Sequence, residues 1–194
     1  MKNTIHYVLI LDQSGSMSDL KQEVVTSFNE QVDMIQKLLQ AEPKSDIKLT
    51  LCTFNDTVDF KFIEQSVDQI KKLSLEDYHP ASFTALYDAI GASFVKISEA
   101  IEPGDQVFFA IFTDGLENAS TVYTAIDINF KIKTAEIKGW SIKFFCRYED
   151  RLFYKSRLNL TDKNLLSVTL NDQGFKMMKS EIHYSLKSMI DKNQ

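Results

Sequence analysis

This 194-residue chain has no long apolar run and no excess of positive charge. No stretch approaches the ~18 residues of a membrane-spanning helix. The N-terminal apolar run, Tyr7-Val8-Leu9-Ile10-Leu11, stops at Asp12 and is too short for the core of a secretory signal. A cytoplasmic location without membrane attachment is therefore expected. The net charge of −5 excludes general nucleic-acid binding, which needs basic surface to neutralise phosphates. Cysteine is scarce. Cys52 and Cys146 each lie inside an apolar, strand-like run and read as buried core thiols, with no secretory context to favour a disulfide. No Gly-x-x-x-x-Gly-Lys phosphate loop is present. No Ser-His-Asp or Cys-His order stands out, although such sets are recognised by geometry rather than order. Internal repeats, low-complexity tracts and inter-domain linkers are also missing.

What remains is ordinary globular composition, 44% apolar and 25% charged. At this length one domain, 1–194, is expected, able to bury roughly 70% of its unfolded surface without disulfides. Residues 6–11 read as a buried strand. Residues 18–40 read as a helix, with Leu20, Val24, Phe28, Val32, Ile35 and Leu39 at steps of four and three, ended by Pro43. Residues 47–54 and 58–63 read as strands around Asn55-Asp56-Thr57, a link so short that they must pair antiparallel. A short helical piece is expected at 66–72, and a loop at His79-Pro80-Ala81-Ser82. A helix over 84–101 carries Leu86, Ile90, Phe94, Ile97 and Ile101 on one face, closed by Pro103-Gly104.

Val107–Phe112 is continuously apolar, as in a strand buried on both faces, and runs into Thr113-Asp114-Gly115. A helix around 120–138 follows, with Tyr123, Ile126, Phe130 and Ile137 expected inward and Gly139 as its stop. A strand at 141–146 precedes 148–163, which carries no clear period. A last strand at 165–170 and a last helix at 174–191, through Phe175, Met178, Ile182, Leu186 and Met189, complete the chain. Strands alternating with helices imply a doubly wound, Rossmann-like α/β fold. It has a mostly parallel six-stranded sheet with helices on both faces, and the hairpin supplies one antiparallel edge strand.

The chemistry concentrates at strand ends. In such sheets ligands bind at the carboxyl edge, and right-handed crossovers bring parallel strands out on the same edge. The first strand ends in Asp12-Gln13-Ser14-Gly15-Ser16 and the fourth in Thr113-Asp114-Gly115, while Ser82-Phe83-Thr84 opens the middle helix. Oxygen side chains at alternate positions on a strand-to-helix loop can converge on a hard cation such as Mg2+, which prefers oxygen ligands in a near-octahedral shell. Without the metal, the same residues would be helix caps and ordinary turns.

In combination these residues resemble the von Willebrand factor A (VWA) domain family and its metal-ion-dependent adhesion site. The resemblance runs from about residue 5 to 146 and is weaker over 147–194. Leu-Asp-Gln-Ser-Gly-Ser-Met, Thr-Ala-Leu-Tyr-Asp-Ala-Ile and Thr-Asp-Gly-Leu-Glu-Asn-Ala-Ser look most like small stand-alone bacterial members, some of which accompany tellurite-resistance-type stress systems. The resemblance implies that Ser14, Ser16 and Thr84 offer hydroxyl oxygens to the metal, and that Asp12 and Asp114 act directly or through water. The cation would be Mg2+, with Mn2+ or Ca2+ as alternatives. Neutral hydroxyls leave it electrophilic, so it can accept an Asp or Glu carboxylate from a partner protein. One departure stands out: the family often has glycines just before the threonine, where this chain has the stiffer Ala81-Ser82.

Further residues border this constellation. Ser82 can bond within its loop. Gly15 and Gly115 serve the turns. His79 reads as a flank of the site or a solvated loop residue. Asp88, one turn after Thr84, is either a carboxylate behind the metal ligands or a charge favouring the helix N-terminus. Glu117 either shapes the rim or is solvated there. Arg147, Arg151 and Lys155, spaced by four, form either a basic stripe facing an acidic partner or a solvated helix face. Three functions compete: a metal-dependent protein-binding module without enzymatic activity, a Mg2+-dependent hydrolase or phosphoryl-transfer enzyme, and a metal-free scaffold. The first is favoured, because no general base or nucleophile accompanies the constellation.

Overall fold

The structure, a computed structural model, describes residues 3–192. Six strands form one sheet: β1 (Asn3–Asp12), β2 (Ser45–Phe54), β3 (Val58–Ser66), β4 (Gln106–Phe112), β5 (Ser141–Cys146) and β6 (Leu165–Ser167). Five helices accompany them: α1 (Lys21–Ala41), α2 (Leu86–Ala100), α3 (Ala125–Ile137), α4 (Arg151–Arg157) and α5 (Asp172–Asp191). The strand order is β3-β2-β1-β4-β5-β6, and every pair is parallel except the β2–β3 edge hairpin. This is the doubly wound architecture expected from the alternation of elements.

Strand alternation sorts the core into two layers. Tyr7, Leu9 and Leu11 of β1 face a cluster completed by α1 and α5, through Phe28, Ile35, Phe175 and Ile182. Val8 and Ile10 face the opposite cluster, built with Ile90 and Phe94 of α2 and Ile128 and Ile132 of α3. Burial on both faces is why β1 and β4 read as unbroken apolar runs. Cys52 and Cys146 are free and buried, and desolvation pushes both thiols up to about 12.

Helices α1, α2 and α3 begin later than expected, and α5 two residues earlier. Residues Gly15–Leu20 form a 3-10 turn before α1, and Val67–Gln69 is a 3-10 turn where a short helical piece was expected. The segment before α3 is loop, because Thr124 caps that helix in a reciprocal box with Asp127. Pattern reading picked the wrong face of α3. Ile126, Phe130 and Ile137 are exposed and Tyr123 is half-buried, whereas Ile128, Ile132 and Ala135 turn inward. The helix is apolar on two faces, so periodicity alone could not decide between them. In contrast, Phe175, Met178, Ile182, Leu186 and Met189 of α5 are all buried as expected.

The unread 148–163 segment contains α4, and the last strand is only Leu165–Ser167. Its cations do not form a free basic stripe. Arg147 pairs with Asp150 at 2.8 Å, while Arg151 and Lys155 both pair with Asp162, at 2.8 and 2.7 Å. Among the described residues, no helix is long and apolar enough to cross a membrane.

Candidate metal centre

The strand order reverses between β1 and β4: the chain leaves β1 toward β2 and β3, then returns to place β4 on its other side. The two crossovers diverge there and leave a crevice at the carboxyl ends of both strands. Asp12 ends β1 in that crevice and Asp114 lies two residues beyond β4.

The loop after β1 is organised around the Asp12 carboxylate. Its Oδ1 accepts the Ser14 amide at 2.7 Å and its Oδ2 accepts the Thr113 hydroxyl at 2.5 Å. The Ser14 and Ser16 hydroxyls lie 3.1 Å apart, and Ser16 donates to Asp114 Oδ1 at 2.6 Å. Thr84 arrives from the third loop. Asn118 holds its amide, at 2.8 Å, and its carbonyl, at 3.0 Å, and its hydroxyl keeps no hydrogen-bond partner among the described residues. A Cβ placed on Gly115 would stand 3.8 Å from both the Ser16 and the Thr84 hydroxyl oxygens, so the three loops meet at this glycine.

Backbone contacts set the spacing of the loops. The Gly15 amide donates to Ser82 O at 3.1 Å, and Ala81 donates to Gln13 O at 3.0 Å. Ser82 adopts φ 66°, the left-handed conformation that a glycine would take without strain. The Ala81-Ser82 departure therefore carries a local conformational cost at Ser82. A Cβ on Gly15 would sit 3.4 Å from Ser82 O, at the close limit of ordinary contact. Two buried tyrosines brace the crevice from below: Tyr78 donates to Asp12 O and Tyr154 to Gly115 O.

Electrostatically the site is short of positive charge. Burial raises Asp12 to about 6, against the hydrogen bonds from Thr113 and Ser14, and the neighbouring Asp114 adds to the rise. Burial also raises Asp114, opposed by the Ser16 hydrogen bond and the Arg147 guanidinium. Two desolvated carboxylates beside three hydroxyls make a donor set that suits a hard divalent cation. Among the described residues no three of His, Cys, Asp and Glu cluster as a metal cage. A set weighted toward hydroxyls does not take that form.

The bordering residues divide differently from expectation. Asp88 is turned to the α2–α3 connection, where its two oxygens accept the Thr121, Val122 and Tyr123 amides at 2.8–3.0 Å. Glu117 is not a solvated rim charge. It accepts the Ala119 and Ser120 amides, the Ser120 hydroxyl and the Tyr87 amide at the start of α2, which fixes the loop that carries Asn118. His79 is exposed, as is Phe83, at 65%, beside Thr84. Sequence reasoning missed Thr113, Asn118, Tyr78 and Tyr154 as supports of the site. The first two lie inside the very phrases that carried the resemblance, whereas the tyrosines give no local signal.

No family model matches the sequence, and no curated protein does. Solved structures do. The chain is similar to the PilB minor pilin of Streptococcus sanguinis, with TM-score 0.68 and 12% identity, covering 98% of this chain and 63% of that one. It is similar to the vWF domain of the type V pili tip protein Mfa5 from Porphyromonas gingivalis, with TM-score 0.65 and 10% identity, covering 95% and 97%. It is also similar to proximal thread matrix protein 1 from the mussel byssus, solved with a zinc-occupied MIDAS motif, with TM-score 0.62 and 12% identity, covering 95% and 46%. The chain thus spans less than two thirds of the first pilin and thread-protein structures it matches. At these identities the likeness establishes the fold, that of von Willebrand factor A domains.

Proposed function

We infer that the crevice between β1 and β4 binds a divalent cation, and that the bound cation captures an Asp or Glu carboxylate of a partner protein. The observation carrying this reading is the convergence of Asp12, Ser14, Ser16, Thr84 and Asp114 from three loops onto one point beside Gly115. Ser14, Ser16 and Thr84 would hold the metal through hydroxyls, with Asp12 and Asp114 as direct or water-bridged carboxylates. Mg2+ suits such oxygen donors, with Mn2+ and Ca2+ as alternatives. The ion supplies Lewis acidity toward an incoming carboxylate. The chain's residues keep its ligands in place: Thr113 and the Ser14 amide hold Asp12, and Asn118 holds Thr84.

Binding rather than catalysis is the reading supported. Both Asp12 oxygens already accept hydrogen bonds and one Asp114 oxygen accepts from Ser16, an arrangement suited to orienting hydroxyls rather than to removing protons from a substrate. The cytoplasmic setting, in a bacterial stress-response or defence system, belongs to the same proposal. It rests on the motif phrases and on two unpaired buried thiols, which suit a reducing compartment.

Isothermal titration with MgCl2 and MnCl2 tests the metal. Binding that Ser14→Ala weakens and Asp114→Ala abolishes is the expected result. An intact protein that takes up neither ion would overturn the reading. Panel assays of phosphoester turnover with Mg2+ test the binding claim, since turnover lost in Asp114→Ala would make the protein an enzyme.

A further inference from the structure

Helix α3 shows apolar side chains to solvent as well as to the core. Val122, just before it, and Ile126, Phe130 and Ile137 on it are 72, 81, 72 and 88% exposed. On an ordinary surface helix that face is polar, and a contiguous apolar patch marks an interaction site. Beside it an open groove of about 800 Å³ runs between α2 and α3. Its floor includes Phe94 and Trp140, 5.8 Å apart, which stack on the buried Phe109 at 4.5 and 5.9 Å. The Tyr123 ring lies directly on Gly91, where a Cβ would come within 2.3 Å of it.

The groove also carries charge. The Lys131 ammonium lies 5.2 Å over the Tyr123 ring and Lys138 lies 5.3 Å over Trp140, and among the described residues neither forms an ion pair. Of the two carboxylates on the groove, Asp127 is engaged in capping Thr124 and Glu99 stands on the opposite, α2 wall. The α3 edge thus sets two ammoniums, Lys131 and Lys138, against the single carboxylate of Asp127, a net positive edge on a chain that as a whole carries −5.

We propose that the α2–α3 groove docks an amphipathic helix of a partner protein, apolar toward the groove and acidic along the edge that meets Lys131 and Lys138. The 13-residue α3 is about 20 Å long at ~1.5 Å per residue, which a partner helix of three to four turns matches. A second copy fits less well, because two α3 faces meeting would bring Lys131, Lys133 and Lys138 of each copy together with only Asp127 and Glu136 to offset them. The proposal uses no residue of the metal crevice, so its failure and that of the metal reading are separate.

A displayed library of helical peptides, with apolar residues fixed at i, i+4 and i+7 and flanks varied among Glu, Lys, Gln and Ser, is selected on the intact protein. Trp140, the only tryptophan of the chain, reports binding by its emission. The expected result is enrichment of Glu on one flank, a shift of Trp140 emission, and at least tenfold weaker binding to the Lys131→Glu/Lys138→Glu protein, whose apolar surface is unchanged. Absence of any peptide selected above a Phe130→Asp control would overturn the proposal. So would enrichment without acidic preference, or a concentration-dependent dimer in sedimentation that Phe130→Asp dissolves.

Discussion

Asp12 offers a sharp test of how the crevice is balanced. Its carboxyl is fully buried, and its value rises from an ordinary 3.8 to about 6. In that interval the folded state holds a proton that the unfolded chain has released, so folding stability falls as pH rises from about 4 to about 6. The gap corresponds to about 3 kcal/mol of destabilisation at pH 7 in metal-free protein, at ~1.36 kcal/mol per pH unit. Asp12→Asn removes the charge and keeps the shape. The amide oxygen can accept the Ser14 N–H, and the amide nitrogen can donate to Thr113 Oγ, whose own proton then goes to Gly115 O, 3.1 Å away. The substitution should therefore stabilise the protein in EDTA at pH 7.5 by about 1–3 kcal/mol. This is a Tm rise of roughly 3–10 °C for a chain of this size. Near pH 4 it should be neutral. It should also abolish the stabilisation by Mg2+ that the native protein is expected to show at pH 7.5 and to lose below about pH 6, as protons compete for Asp12. Urea unfolding at both pH values, with and without Mg2+, measures all of this. An Asn variant destabilised at pH 7.5 in EDTA, or stabilised equally at both pH values, would refute the reasoning.

Three further predictions concern single supports. Thr113→Val leaves Asp12 Oδ2 without its donor; it should cost about 1–3 kcal/mol in EDTA at pH 7.5 and weaken Mg2+ affinity in titration calorimetry. His6 is buried at the other end of β1 between Glu64, at 2.5 Å, and Asp105, at 3.0 Å. Burial alone would lower its value, but both carboxylates outweigh that and raise it above 6.5. The stability it contributes should be complete below pH 6.5 and fade as pH rises through the folded-state value, a slope that unfolding measurements from pH 6 to 9 should lose in His6→Gln. Gly91→Ala should destabilise by about 1–2 kcal/mol, because overpacking against the Tyr123 ring exceeds the ~1 kcal/mol helix gain of alanine. In a Tyr123→Ala background the same change should be neutral or stabilising.

The architecture was legible because both of its signals are local. Continuous apolar runs ending in Asp12 and before Asp114 mark central strands, and the three-residue Asn55-Asp56-Thr57 link permits only an antiparallel pair. The crevice residues were legible for a related reason: each lies at a strand end or helix start, and parallel strands bring those ends to one edge. Helix α3 was misread because Ile126, Phe130 and Ile137 are as apolar as Ile128 and Ile132, and hydropathy carries no sign for inward. The partners of Arg151 and Lys155 were unreadable because Asp162 reaches them across a turn whose path no local pattern encodes.

The sequence alone therefore determined the strand and helix alternation, the doubly wound class, and the exit of the strands ending at Asp12 and before Asp114 on one sheet edge. Those follow from short-range patterns and from the handedness of chain crossovers. Only the tertiary structure decided which apolar face of α3 meets the core, and that Asp88 and Glu117 clamp loops. It also decided that Thr113, Tyr78 and Tyr154 brace the crevice. Each of those depends on which backbone amides and carbonyls come within hydrogen-bond reach, distances set by packing between segments far apart in the chain.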